Sequence, residues 1–321
     1  MTAIQFQLRQ ATHSDLPEIA KLISEGLSFD GLAIVQTAEE LEEDWGGPYC
    51  FLDQDVMVAV HESHIIGVGY TYFLPSETKE ERCYALGTVK PAFRRKGVGT
   101  EIQQWTTTRA EKLLRSTNRT IPKFLRSDVS TSNTSADFLF QKFNMRPVRW
   151  NEDLIIDLNQ SPEVFVSPGY FVIPWNTSRD EEARVAKNLA FMDHWGSTPT
   201  SEEGWQQLVH GSTAKLDQSF FALDSNNNIV GLLLSHRYES DDETLGKRIG
   251  WIDKLATLSE HRGKSIGRSL ITHALAAYRR DGLTHAALDV DTENPTGAYG
   301  LYTAVGFSTF RGSVTYERTV Q

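Results

Sequence analysis

Cysteine is nearly absent from this chain of 321 residues: Cys50 and Cys83 stand far apart, with no CxxC spacing. That excludes a disulfide framework and makes a reducing, cytoplasmic compartment the expectation. No run approaches the roughly 18 apolar residues of a membrane-spanning helix, and Met1-Thr2-Ala3-Ile4-Gln5 shows neither the basic nor the apolar region of a targeting signal. Basic residues are outnumbered, with Lys+Arg 32 against Asp+Glu 42 and a net charge of −10, so neither nucleic acid nor an anionic membrane is an expected partner. Missing too are HExxH, any Cys/His cluster, GxxxxGK[ST] and a full GxGxxG. No metal, P-loop nucleotide or dinucleotide site is therefore expected. What remains is an ordinary globular composition, 40% hydrophobic and 23% charged, long enough for about two domains.

The chain repeats itself. Ile65-Ile66-Gly67 returns as Ile229-Val230-Gly231, an offset of 164 (65 to 229). Arg94-Arg95-Lys96-Gly97-Val98-Gly99 returns as Arg262-Gly263-Lys264-Ser265-Ile266-Gly267, an offset of 168 (94 to 262), and Asn133 returns as Asn294, an offset of 161 (133 to 294). A nearly constant offset of this size marks a tandem duplication of whole domains rather than a solenoid. Residues 1–158 and 170–321 are the expected domains. Residues 159–169, with Asn159-Gln160-Ser161-Pro162-Glu163 and Pro168-Gly169, read as the linker.

Both copies share an element order. Ser14-Asp15 opens a helix with Leu16, Ile19, Ala20 and Ile23 at helical spacing, and Ser178-Arg179-Asp180 does the same for Ala183, Ala186, Lys187 and Ala190. Hairpins follow at Val56–Val60 with Ile65–Phe73, and at Ser219–Leu223 with Ile229–Arg237. A third strand ends near Val89 in one copy and Thr257 in the other, and each runs through a glycine-containing loop into a long helix. Val98, Ile102, Trp105, Arg109 and Leu113 mark the first such helix, with its apolar members on one face; Ile266, Leu270, Ala274, Ala277 and Tyr278 mark the second. Short strands at Phe124–Val129 and His285–Val290, a helix and a closing hairpin complete each copy. The expected fold class is α+β, two tandem domains, each a mixed, largely antiparallel twisted sheet flanked by helices.

The strand–loop–helix junctions carry the chemistry. A helix N-terminus presents unpaired N–H groups and partial positive charge, and so binds phosphate. Gly97 and Gly99 let an anion approach the backbone, with Arg94, Arg95 and Lys96 adding charge; Arg262, Gly263, Lys264 and Gly267 stand at the matching place. A capped helix on a solvated basic turn would explain one junction, but two at matching positions favour phosphate.

Arg94–Gly99 fits [Q/R]xxGx[G/A], the coenzyme A pyrophosphate loop of the GCN5-related N-acetyltransferases, and Arg262–Gly267 fits it with Ser265 in place of a glycine. Downstream, Asn294-Pro295-Thr296-Gly297-Ala298-Tyr299-Gly300-Leu301-Tyr302-Thr303-Ala304-Val305-Gly306-Phe307 resembles that family's Asn, helix and LYxxxGF segment. Nearly the whole chain thus resembles a tandem acetyltransferase of the mycothiol-synthase-like kind.

The resemblance implies acetyl-CoA as cosubstrate, no metal, and direct transfer to the amine of a small molecule in a ternary complex. It implies cofactor contacts from Leu255, Thr257, Arg262, Gly263, Lys264, Ser265, Ile266, Gly267, Arg268 and Asn294 in the second copy. In the first, it implies Val89, Arg94, Arg95, Lys96, Gly97, Val98, Gly99 and Thr100. Tyr302 falls on the tyrosine that protonates the departing thiolate. In the first copy Asn133-Thr134-Ser135-Ala136-Asp137-Phe138-Leu139-Phe140 puts Phe140 there, and Asn144-Met145 replaces Gly-Phe, so that copy is expected to bind coenzyme A without completing transfer.

For the base, Asp253 shares by strand alternation the face of Trp251 and Leu255, with pairing to Lys254 as the plainer role. Asp193-His194-Trp195 lies where the family builds acceptor pockets. The competing expectations are acetylation of a protein or peptide amine and a non-catalytic acyl-CoA-binding module.

Overall fold

The computed structural model describes residues 4–294 and 297–321; Met1–Ala3 and the motif residues Pro295 and Thr296 lie outside the described residues. In chain order the first elements are β1 (Gln7–Gln10), α1 (Leu16–Phe29), α2 (Ala38–Asp44), α3 (Leu52–Asp55), β2 (Val56–His61), β3 (His64–Leu74), β4 (Glu81–Val89), α4 (Val98–Arg115), β5 (Lys123–Ser130) and α5 (Thr134–Lys142). There follow β6 (Arg146–Asp157), β7 (Phe171–Pro174), α6 (Asp180–Ala190), α7 (Glu202–His210), β8 (Phe220–Leu223), β9 (Ile229–Arg237), α8 (Asp242–Leu245), β10 (Ile249–Thr257), α9 (Ile266–Arg280), β11 (His285–Asp291), α10 (Ala298–Val305) and β12 (Ser308–Thr319).

Two compact units result. One comprises residues up to Trp150 together with Ser313–Gln321, the other Asn151–Gly312. The boundaries fall inside β6 and β12 rather than in the expected linker. The reason is pairing: β6 is hydrogen-bonded to β11 from Asn151 onward, and β12 to β5 from Ser313 onward. Each copy therefore closes with one long strand where the sequence suggested a hairpin. Residues 159–169 are not a free tether either. Phe165 N–H donates to Thr272 Oγ1 at 3.0 Å, and Ser167, 1% exposed, donates its hydroxyl to the Lys264 carbonyl at 2.5 Å.

In the first unit β1 to β4 pair in sequence, antiparallel, β4 and β5 pair parallel, and the Ser313–Thr319 part of β12 lies antiparallel to β5. Leu16 and Ile19 of α1 and Leu41 of α2 pack on Val56, Val58 and Val68, while Val98 and Ile102 of α4 pack on Ala59 and Ile66. The buried stripe of α4 runs through Val98, Ile102, Thr106, Ala110 and Leu114, rotated away from Trp105 and Leu113. Gly67 and Gly69 cause this. A Cβ on Gly69 would lie 2.5 Å from Ile102 Cγ2 and 2.9 Å from Thr106 Cγ2, so bare strand lets β-branched side chains of the helix sit directly on the backbone.

The second unit repeats the plan, with β7, β8, β9 and β10 antiparallel in turn, β10 and β11 parallel, and β6 antiparallel to β11. Ala183 and Ala186 of α6 and Trp205 of α7 cover one face against Leu232 and Leu234; Leu270, Ala274 and Tyr278 of α9 cover the other against Leu233 and Ile252. The fold is α+β with two such units in tandem. Among the described residues no helix is long and apolar enough to cross a membrane.

Candidate active site

Each unit opens where its one parallel strand pair parts. In the second, the β10–β11 ladder runs from Ile249/His285 to Ile252/Leu288 and stops, although β10 continues to Thr257 and β11 to Asp291. In the first, β4 and β5 are paired from Glu81/Lys123 to Tyr84/Arg126 and then diverge. The diverging edges wall a cavity of about 550 Å³ in the second unit and about 630 Å³ in the first.

The two loops at the cavity mouths have the same backbone. Arg95 (φ 63°) and Gly97 (φ 93°) are left-handed in one, Gly263 (φ 75°) and Ser265 (φ 61°) in the other. Each loop thus places one glycine and one side-chain-bearing residue in that region, and Ser265 adopts the geometry the missing glycine would have given. Successive N–H groups in such turns converge on an anion site ahead of a helix, here α4 and α9. Gly263, Ser265 and Arg268 line the second cavity with Asp253, Leu255, Thr257, Arg262, Asn294 and Tyr302; Lys264, Ile266 and Gly267 do not line it. Ile266 is buried, and a Cβ on Gly267 would lie 3.0 Å from Leu301 of α10. Val89, Arg94, Arg95, Gly97, Gly99 and Thr100 line the first cavity; Lys96 rests its ammonium over the Phe93 ring, and Val98 is buried.

The leading arginines, which line the two cavities, are also anchored to backbone carbonyls. Arg262 donates through Nε to the Thr257 carbonyl (3.2 Å) and through a terminal nitrogen to the Ala190 carbonyl at the end of α6 (2.7 Å). Arg94 makes the same bonds to Val89 (3.1 Å) and Gly26 (3.3 Å), and adds a two-pronged pair with Asp30 at 2.5 and 3.0 Å. Asn133 joins the cluster, its amide 3.0 Å from Asp30. Both arginines fasten the first helix of their unit to the strand before the loop, and of the two only Arg94 meets a counter-charge among the described residues.

The LYxxxGF pattern has a plain conformational basis. Gly306 (φ 113°) ends α10 in the left-handed region, and the Phe307 N–H turns back to the Tyr302 carbonyl at 3.1 Å. Phe307 is buried, its ring 6.2 Å from that of Tyr302. The first unit does the same with other residues: Asn144 (φ 57°) is left-handed, the Met145 N–H reaches the Phe140 carbonyl at 3.1 Å, and Met145 is buried. Asn144-Met145 is therefore a substitute for Gly-Phe, not a loss of the turn. The lost feature is the hydroxyl, since Phe140 packs its ring 4.8 Å from Tyr316.

Tyr302 is 8% exposed on the cavity wall. Burial, and then the Asp289 carboxylate, push its phenol well above the ordinary value, so it is a protonated donor at neutral pH. Asp289 on β11 lines the same cavity and was not singled out by the sequence. Asp253 sits in a bulge: Trp251 and Ile252 face His236 and Ser235 of β9, but Lys254 already faces Leu234. The extra residue moves Leu255 to the α9 face and leaves Asp253 on the α6 face with Trp251, against the expected alternation. Burial pushes the Asp253 carboxyl up, but Lys254 (3.0 Å), His236 and Lys187 outweigh it and hold it below the ordinary range. His194 also lines the cavity, with its ring 4.5 Å from that of Phe191.

A profile of the acetyltransferase (GNAT) family matches residues 185–307. The chain is similar to GNAT acetyltransferases. Over 94% of its length it is 23% identical to a mycothiol acetyltransferase of Saccharomonospora viridis, covering 95% of that protein. A GCN5-related N-acetyltransferase from Sphaerobacter thermophilus superposes with a TM-score of 0.77 at 24% identity, over 98% of this chain and 96% of that one. A tandem GNAT protein from the clavulanic acid biosynthesis pathway superposes with a TM-score of 0.69 at 13% identity, over 98% of both chains. GNAT acetyltransferases use acetyl-CoA as cosubstrate. This chain has groups that suit it: strand edges beyond the β10–β11 ladder for an amide-bearing arm, and a loop of converging N–H groups for a pyrophosphate.

Proposed function

We propose that the second unit transfers the acetyl group of acetyl-CoA to the amine of a small molecule, and that the first unit is a modified copy without a proton donor. The observation that carries this is Tyr302, a buried, protonated phenol on the wall of the cavity that the Gly263–Gly267 loop opens into. In this reading Leu255 and Thr257 offer backbone groups to the arm of the cosubstrate. Gly263, Ser265 and Arg268 meet the pyrophosphate from the cavity wall, Lys264, Ile266 and Gly267 shape the loop and the start of α9 behind them, and Asn294 closes the far side. Tyr302 gives its proton to the thiolate, and Asp253 stands on the acceptor side. The matching first-unit groups from Val89 to Thr100 form a second coenzyme A pocket, and the Arg94–Asp30 pair weakens it. Asp289 and Asp291 on the cavity wall offer carboxylates to a cationic amine, while Arg262 and Arg268 stand on the loop side.

The test is release of free thiol from acetyl-CoA across amino sugars, diamines, amino-acid amides and basic peptides, with wild type beside Tyr302→Phe. Turnover of a small amine that Tyr302→Phe lowers by about 10²–10⁴, with acetyl-CoA affinity kept, supports the reading. Turnover unaffected by Tyr302→Phe, but abolished by disrupting the Arg94–Gly99 loop, places the chemistry in the first unit.

A further inference from the structure

Behind Asp253 lies a histidine for which the fold has no evident use. His236, on β9 directly across from Trp251, has a side chain 9% exposed. Its Nδ1 is 3.1 Å from the hydroxyl of Thr213, and its Nε2 points at Asp253 Oδ2 across 4.0 Å. Asp253 Oδ2 is also 3.0 Å from Lys254 Nζ, whereas His236 Nε2, though buried, completes no hydrogen bond among the described residues. A buried imidazole nitrogen left without a partner and facing a carboxylate is costly unless a proton visits the gap. Asp253 fronts the cavity, while Thr213 on the other side of the imidazole is half-buried in the loop after α7.

We infer that Asp253 and His236 form a proton-accepting relay for the acceptor amine, in which Asp253 meets the amine, His236 stores the proton, and Thr213 leads it outward. The inference rests on catalysis in the second unit. An amine arriving as ammonium loses one proton to Asp253, which passes it to His236 Nε2. The nitrogen lone pair then forms the C–N bond to the thioester carbon, and the C–S bond breaks. Tyr302 protonates the leaving sulfur and is reprotonated by the second N–H proton of the new amide. The sum is amide, free thiol and one proton, which leaves through His236.

The surroundings fit storage at the imidazole rather than at the carboxylate. Lys254 and Lys187 hold Asp253 ionised, so it conducts a proton without keeping it. Burial and Lys254 lower the His236 pKa while Asp253 raises it, with a net lowering, so the imidazole is neutral and receptive at pH 7. The groups facing it are Asp253 and Lys254 from β10, the Leu208 carbonyl from α7 and Thr213.

The experiment measures kcat against pH with acetyl-CoA and the amine of fastest thiol release, alongside calorimetric acetyl-CoA affinity. Wild type should lose activity on acidification with a midpoint below the ordinary histidine value of about 6.5. His236→Gln should lower kcat about 10²-fold and remove that acid limb, with acetyl-CoA affinity unchanged. Thr213→Val, a substitution nearer the surface, should keep the limb but move it to lower pH, because the imidazolium loses its outer partner. A His236→Gln enzyme with full kcat and the wild-type limb overturns the relay, as does an unshifted limb in Thr213→Val should the glutamine variant not fold. If Tyr302→Phe is fully active as well, the placement of catalysis has failed; if only Tyr302→Phe is impaired, the relay alone has.

Discussion

Arg94 and Asp30 are joined by two charge-assisted bonds at 2.5 and 3.0 Å, whereas Arg262, at the corresponding point of the second unit, bonds only backbone carbonyls among the described residues. One loop has its leading cation cancelled; the other keeps the charge. Asp30 also occupies the amide of Asn133, whose counterpart Asn294 lines the second cavity. A carboxylate at a pyrophosphate site opposes the anion directly and through the cation it neutralises.

Acetyl-CoA should therefore bind wild type tightly at one site per chain. Asp30→Ala should add a second, by freeing Arg94 and Asn133. Calorimetric stoichiometry decides this: a value that stays at one in the variant, or is already two in wild type with equal affinities, refutes it.

Gly267→Val should weaken acetyl-CoA binding without unfolding the second unit. The new side chain meets Leu301 of α10, where the glycine Cβ position is already 3.0 Å from Leu301 Cδ2, and Tyr302 is the next residue. Because the first unit's leading arginine is paired with Asp30, its weaker site should not hide the loss. An unchanged dissociation constant with a native circular dichroism spectrum would count against the loop.

The two helix-ending turns should differ in tolerance. Gly306→Ala forces an L residue into φ 113° beside Ile156, and should cost at least about 1–2 kcal/mol. Asn144→Gly, at φ 57°, should change stability by less than about 0.5 kcal/mol, because asparagine already tolerates that region. Urea midpoints of the two variants provide the comparison.

Acid should release one identifiable contribution to stability. The bond from Arg9 holds Asp15 at about 2, against the cost of burial and with help from Thr12. A carboxylate whose folded pKa lies below its unfolded value of about 3.9 stabilises fully above that value, and the benefit disappears as pH falls through the folded pKa. Asp15→Asn should accordingly cost about 2 kcal/mol near neutrality and nothing below about pH 2. Denaturation curves at the two pH values test it.

What the sequence disclosed were features that depend on local backbone. Glycines at the loop, Gly306 before Phe307, and the spacing of Leu270, Ala274 and Tyr278 announce turns and a buried helix face by themselves. The departures came from non-local partners. Nothing adjacent to Arg94 or Arg262 reveals that Gly26 and Ala190 carbonyls, some seventy residues upstream, will claim them. The bulge at Asp253 is set by pairing with β9, so strand alternation misplaced Leu255. His236 escaped notice because a lone histidine in an apolar strand has no motif; only its distance to Asp253 gives it significance. Asn144-Met145 read as decay because the motif records residue names, whereas the turn asks only for a positive φ and a buried side chain after it.

The segment Ser313–Gln321 pairs with β5, places Val314, Tyr316 and Val320 in the first unit's core, and sets Glu317 against Arg126 at 2.8 Å. A ribosome therefore synthesises the whole second unit before it delivers the strand that finishes the first. Until then the nascent first unit exposes the open edge of β5, a surface prone to pairing with other chains. A gene cut after residue 158 would make that state permanent, so the two copies, though duplicates in plan, are no longer separable as products.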